Sequence, residues 1–111
     1  MSEKAEIQRK IKIKTGSVKR LHKEHLSYQK EEEDLKRKLE KFLADGAEDW
    51  DIKNTRKMME ESAKMSKDTA NRLGSAVQDL RELIVGLDQN EEWADDENLV
   101  KAKEALEEVS V

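Results

Sequence analysis

His22 and His25 are the only two histidines in the chain, and they head a short inventory of groups able to make or break bonds. Histidine titrates near neutral pH and is a common zinc ligand. A zinc site also needs partners at a matching spacing, and cysteine is absent altogether. His25 has Glu32 one heptad on, a spacing better suited to a structural hydrogen bond than to a metal. No glycine-rich stretch could cradle a phosphate, and no Ser-His-Asp set could converge into a pocket. The residue types therefore favour recognition over catalysis, with neither metal nor cofactor expected. No enzyme activity is expected from them.

What the side chains do offer is charge and a few adaptable apolar groups. Charged residues make up 43% of the chain, hydrophobic ones 35% and aromatic ones 4%. The net charge of −4 conceals a polarity. Residues 1–30 carry nine Lys/Arg against three Asp/Glu, whereas residues 88–111 carry nine Asp/Glu against two Lys. Such halves either neutralise each other or present a basic arm to an anionic partner. No stacking aromatics interleave with the basic residues, so neutralisation by the acidic tail is the expected outcome, and no nucleic-acid partner is expected. Met58 and Met65, flanking Met59, are flexible side chains of the kind found on binding faces. Acidic and basic runs, as in Glu32–Lys36 and Glu33–Arg37, fit the i,i+4 pairs of a solvated helix surface.

Helices must position these groups. Proline is absent, glycine occurs four times, and the composition is too apolar-poor for a compact globule. Elongated helical assemblies, which bury only a narrow seam, tolerate that deficit. The strand-like alternation Lys10-Ile11-Lys12-Ile13-Lys14 is local, because a heptad count started at Ile11 runs from residue 7 to 42. Its a positions are Ile11, Val18, His25, Glu32 and Leu39. Its d positions are Ile7, Lys14, Leu21, Tyr28, Leu35 and Phe42. Eight of these eleven are apolar or aromatic. Gly16 lies off the seam and does not end the helix.

Gly46 marks a left-handed stop, and Asp49 or Asp51 is expected to cap the next helix. That helix has a positions Ile52, Met59, Ser66, Leu73, Leu80 and Leu87, with d positions Thr55, Ser62, Thr69, Ala76 and Leu83. A flanking stripe of Ala63, Ala70, Val77 and Ile84 predicts a third partner toward its C-terminal end. Asp95 or Asp96 then caps a short helix carrying Leu99, Ala102, Leu106 and Val109. The expected fold is all-α. It is an elongated, antiparallel three-helix bundle, up-down-up, with two long helices, a short third and a coiled-coil-like seam. One domain spans 1–111, with helices at about 5–43, 50–87 and 97–109. Antiparallel pairing matches residues whose numbers sum to about 94, so His25, Tyr28 and Glu32 should face Ser62, Ser66 and Thr69. The acidic third helix should lie beside Lys12, Lys19, Arg20 and Lys23, and Trp50 is expected to pack on Phe42. No signal-peptide pattern and no membrane span are read, so a soluble intracellular protein is expected.

The stretch "IKIKTGSVKRLHKEHLSYQKE", residues 11–31, closely resembles the first helix of the tubulin-binding cofactor A family. The family pattern there is close to IKIKTG-x-VKRL-x-KE-xxx-Y-x-KE, and every fixed position is present. "WDIK" at 50–53, Glu61-Ser62, Met65, Asp68 and Arg72-Leu73 also fit, and the resemblance runs over the whole chain. Two departures stand out. Met65-Ser66-Lys67-Asp68 replaces the family's common Met-Ile-Pro-Asp, removing the proline that would kink the second helix. Trp50 stands for a usual tyrosine.

The resemblance implies a non-enzymatic chaperone, cytoplasmic and cytoskeleton-associated, working without nucleotide or metal. Its implied role is to bind β-tubulin after chaperonin release and hold it for αβ-heterodimer assembly, with other tubulin-folding cofactors as further partners. β-Tubulin is acidic in character, so basic anchors are expected. The candidate contacts are Lys19, Arg20, Lys23, Glu24, Tyr28, Lys30, Glu31, Trp50, Lys53, Met58 and Met65. A self-associating coiled-coil adaptor is the rival reading, and both monomer and homodimer remain open.

Overall fold

The computed structural model describes residues 2–109. The described chain is all-helical: α1 (Glu3–Asp45), α2 (Asp49–Leu87), one short 3₁₀ turn (Glu91–Trp93) and α3 (Glu97–Val109). It forms a rod with principal extents of 65 × 21 × 17 Å.

The ends of α1 follow local chemistry. The Ser2 hydroxyl accepts the Ala5 N–H at 3.1 Å, and Glu3 and Glu6 place negative charge at the positive end of the helix dipole. Gly46 adopts φ 68°, a left-handed conformation that lets Ala47 donate back to the Phe42 carbonyl at 2.9 Å. Gly16 sits inside continuous helix, and a Cβ there would meet nothing within 4 Å. Its presence costs the helix about 1 kcal/mol relative to alanine, with no compensating close packing.

The start of α2 corrects one expectation. Glu48 occupies the capping position without a side-chain bond, while Asp49 and Asp51 lie within the first turn. They act there through charge on the dipole and not as caps. α2 then continues through Lys67 to Leu87.

Every a and d position named for α1 and α2 is buried or half-buried. Partners descend along α2 as they ascend along α1. Lys14 lies 3.8 Å from Asp79, and His25 Nδ1 lies 3.2 Å from Thr69 Oγ1. His25 Nδ1 is also 3.1 Å from the Ser66 carbonyl, which only accepts, so this nitrogen carries the proton in that contact. His25 thus joins the polar layer of α2 instead of Glu32.

The large apolar cluster sits at one end only. Ile11, Val18 and Leu21 of α1 meet Leu73, Leu80 and Ile84 of α2, and Trp93, Leu99 and Ala102 close over them. Thr15, buried on α1, and Ala105, buried on α3, extend this contact. Toward the other end, Thr55, Ser62 and Thr69 are the buried α2 residues and Leu35 the buried apolar one on α1. Thr55 and Thr69 satisfy their hydroxyls on carbonyls four residues back in α2, at 2.8 and 2.9 Å. On the flanking stripe, Val77 and Ile84 are covered, whereas Ala63 and Ala70 are exposed. A 13-residue helix reaches only about 20 Å, which is why α3 leaves a two-helix arm.

Asp96 starts α3, accepting the Leu99 N–H at 3.1 Å and the Gln8 side-chain amide at 2.6 Å. One carboxylate thus caps α3 and ties it to α1. Asp96→Ala is expected to cost about 0.5–2 kcal/mol, read as a lower urea midpoint with unchanged slope.

Candidate protein-binding surface

Outside the seam, two neighbouring depressions line one side of the rod. Lys23, Glu24, Ser27 and Tyr28 form the first. Ser27, Lys30, Glu31, Asp34, Lys38 and Met58 surround the second, with Leu35 beneath. Ser27 is common to both, so they make one continuous surface crossing from α1 to α2. The heptad explains the grouping, since Ser27 and Asp34, Glu24 and Glu31, and Glu31 and Lys38 are each seven residues apart. Residues seven apart return to the same helix face. Tyr28 is half-buried, its ring part of the seam, while the charged residues are exposed.

Six of the candidate contacts fall together here: Lys23, Glu24, Tyr28, Lys30, Glu31 and Met58. Met65 lies two turns along α2 from Met58, and the two are 40% and 37% exposed. Arg20 is set further toward the start of α1, in a groove with Ser17, Leu21, Ala76 and Asp79. Lys19 lies elsewhere, in a groove shared with α3. Trp50 and Lys53 are exposed at the start of α2, away from these depressions. Trp50 is 71% exposed and does not close the bundle end on Phe42. Phe42 instead has the Lys38 ammonium 5.5 Å from its ring centre. Residues 46–48 separate α1 from α2 with no apolar bulk to draw an indole inward.

Ser27, Asp34 and Lys38 were missed among the surface residues. Their signal is helical spacing: Ser27 and Asp34 lie three residues beyond Glu24 and Glu31, and Lys38 lies seven beyond Glu31.

The charge pattern also departs from expectation. Within α1, Arg20 pairs with Glu24 at 4.0 Å, and Lys14 turns to Asp79 of α2. The tail answers the basic half through Lys4, whose ammonium donates to the Glu92 carbonyl at 3.0 Å and lies 5.1 Å from the Trp93 ring centre. Arg20 and Lys23 face no residue of α3 in these grooves, because α3 begins beside Gln8 and covers another side of α1. The i,i+4 pairs that close are Arg20–Glu24, Asp68–Arg72 and Glu97–Lys101, not those of the 32–37 run. Among the described residues, no group of three or more His, Asp or Glu side chains is placed to hold a metal ion. No helix among them is long and apolar enough to cross a membrane.

The surface is thus a line of exposed cations and anions with a thioether pair beside it. It suits reversible contact with another protein, as charges set orientation and flexible methionines adapt to the partner.

Comparison with known proteins agrees over nearly the whole chain. A model of the tubulin binding cofactor A family matches residues 6–106. The tubulin-specific chaperone A of Gallus gallus is 39% identical over 103 residues, covering 93% of each chain. The solved structure of human tubulin chaperone cofactor A superposes with a TM-score of 0.80 at 34% identity, covering 95% of this chain and 99% of that one. Tubulin folding cofactor A from Arabidopsis thaliana gives a TM-score of 0.85 at 32% identity, covering 95% and 96%. The chain belongs to the tubulin binding cofactor A family.

Proposed function

We propose that this chain is a tubulin-folding chaperone that binds β-tubulin after chaperonin release and holds it for assembly with α-tubulin. The observation that carries this reading is family membership across residues 6–106, with relatives named as tubulin-specific chaperones. The surface on α1 and α2 supports it from the physical side. Its exposed charges are not consumed by the tail, and Met58 and Met65 supply apolar contact at the edge of the seam. In this reading the chain works in the cytoplasm as one domain, without cofactor or catalytic step. Other tubulin-folding cofactors are its further partners in this reading. The descending partner numbers between α1 and α2, and the Gln8–Asp96 contact at the start of α3, support an up-down-up, coiled-coil-like arrangement.

The test is a pull-down from eukaryotic cytosol, with Arg20→Glu/Lys23→Glu/Lys30→Glu as the comparison. The wild type is expected to recover β-tubulin and the variant about tenfold less, as three exposed charges are reversed. Recovery by the wild type should fall as salt rises from about 50 to 300 mM, since exposed charges are screened over about 10 Å or less. If the wild type recovers no β-tubulin, the reading fails. Equal recovery by the variant would keep the function and move the contact surface elsewhere.

Self-association through the two-helix arm is the second reading, favoured by exposed Leu43 and Trp50 near its tip. Sedimentation separates the two, since an adaptor of that kind would be a stable homodimer at micromolar concentration whose Trp50→Ser variant is a monomer.

A further inference from the structure

The groove holding Lys19 is distinct from the surface described above. α1 contributes Lys12, Gly16 and Lys19 to one wall, and α3 contributes Glu97, Asn98 and Lys101 to the other. Its floor is Thr15, buried, with its hydroxyl already donated to the Ile11 carbonyl at 2.7 Å. Glu97 is the carboxylate in the lining, and it is held by Lys101 at 3.0 Å. Lys12 and Lys19 are exposed, and among the described residues neither has a carboxylate within 4.0 Å. The expected neutralisation by α3 therefore fails where α3 runs closest to them.

Gly16 sits between the two lysines in sequence. A Cβ at this position would meet nothing within 4 Å, so neither packing against α3 nor backbone conformation demands glycine. Its effect is to leave a notch in the wall. Lys12 and Lys19 are two turns apart, about 10 Å along the helix, the reach of roughly three residues of extended chain.

We propose that this groove docks an extended acidic peptide segment, its carboxylates paired with Lys12 and Lys19 and its backbone passing over Gly16. Charge complementarity carries the assignment: two unpartnered cations flank a notch whose own carboxylate is already engaged. No aromatic side chain lines the groove, which disfavours nucleic acid, whose bases need stacking platforms.

The test is fluorescence anisotropy of a fluorescein-labelled hexaglutamate peptide titrated with the full chain at low salt, beside hexaserine and hexathymidylate probes. Hexaglutamate is expected to bind saturably and hexaserine not at all. Lys12→Ser/Lys19→Ser should weaken binding by about tenfold, the sum of two modest charge pairs. Gly16→Leu should weaken it comparably by filling the notch while raising the melting temperature, because leucine is the better helix former. That second variant separates a blocked groove from a damaged fold. Absence of saturable hexaglutamate binding to the wild type overturns the proposal, as does equal binding by both variants. Hexathymidylate binding as tightly as hexaglutamate also overturns it in favour of a general polyanion surface. The peptide assay contains no tubulin, so its outcome stands apart from the function proposed above.

Discussion

Replacing Trp93 by alanine is expected to lower the unfolding free energy by about 3–5 kcal/mol, the range for truncating a buried aromatic side chain. Trp93 is 3% exposed although it lies in the connection between α2 and α3. It packs with Ile11, Leu80, Ile84 and Leu99, and the Lys4 ammonium approaches its outer side. The indole therefore seals the one extensive apolar cluster in the rod. A small domain has only about 5–15 kcal/mol in total, so the loss should lower the melting temperature by roughly 12–20 °C. Trp93→Phe should recover about half of it. Urea unfolding followed by circular dichroism at 222 nm checks both, and a loss below about 1 kcal/mol would mean that Trp93 covers the cluster without sealing it. The arm is remote from this cluster, so its surface should keep its charge pattern in the folded fraction.

The double change Met58→Glu/Met65→Glu is expected to weaken the proposed β-tubulin binding by about 100-fold, equivalent to about 2.7 kcal/mol. Each methionine is more than a third exposed, so stability should move by less than about 1 kcal/mol. In the proposed complex binding suffers twice: the thioethers no longer bury apolar area against the partner, and two carboxylates add to Glu31 and Asp34 on a surface proposed to meet an acidic protein. Met58→Leu/Met65→Leu, which keeps the apolar area, should retain most of the affinity. If glutamate at both positions leaves binding unchanged, the methionines are edge residues of the seam and nothing more.

The seam was legible because it needs only spacing. Ile7 through Phe42 repeat at heptad positions, and any helix that pairs along its length must bury that stripe. Gly46 was legible because a left-handed residue ends a helix most readily when it lacks a Cβ. Trp93 was not, because an aromatic in a non-periodic segment has no register to say whether it turns inward. Gln8 and Thr15 were missed for a related reason. They lie seven apart in a second stripe on α1, but polar types give no apolar signal, and only contact with α3 reveals that side as covered. The stripe of Ala63, Ala70, Val77 and Ile84 points to a partner toward the C-terminal end of α2, and there Val77 and Ile84 are covered while Ala63 and Ala70 are exposed.

The candidate surface was legible residue by residue and not as a place. Lys19 and Arg20 are adjacent in sequence, yet one lines the groove against α3 and the other a groove with Ala76 and Asp79 of α2. Neighbouring charges on a helix diverge by about 100° per residue, so a run of basic residues is distributed around α1. The position of α3 decides which of them remain available. That position rests on Asp96, Gln8 and Trp93, whose contacts span the length of the chain.

The most direct measurement is calorimetric titration of the purified chain with isolated β-tubulin and, separately, with isolated α-tubulin. The expected result is saturable binding of β-tubulin that weakens with salt and is lost in Met58→Glu/Met65→Glu, with no comparable binding of α-tubulin. No heat of binding to β-tubulin, or equal affinity for α-tubulin, would contradict the proposed function.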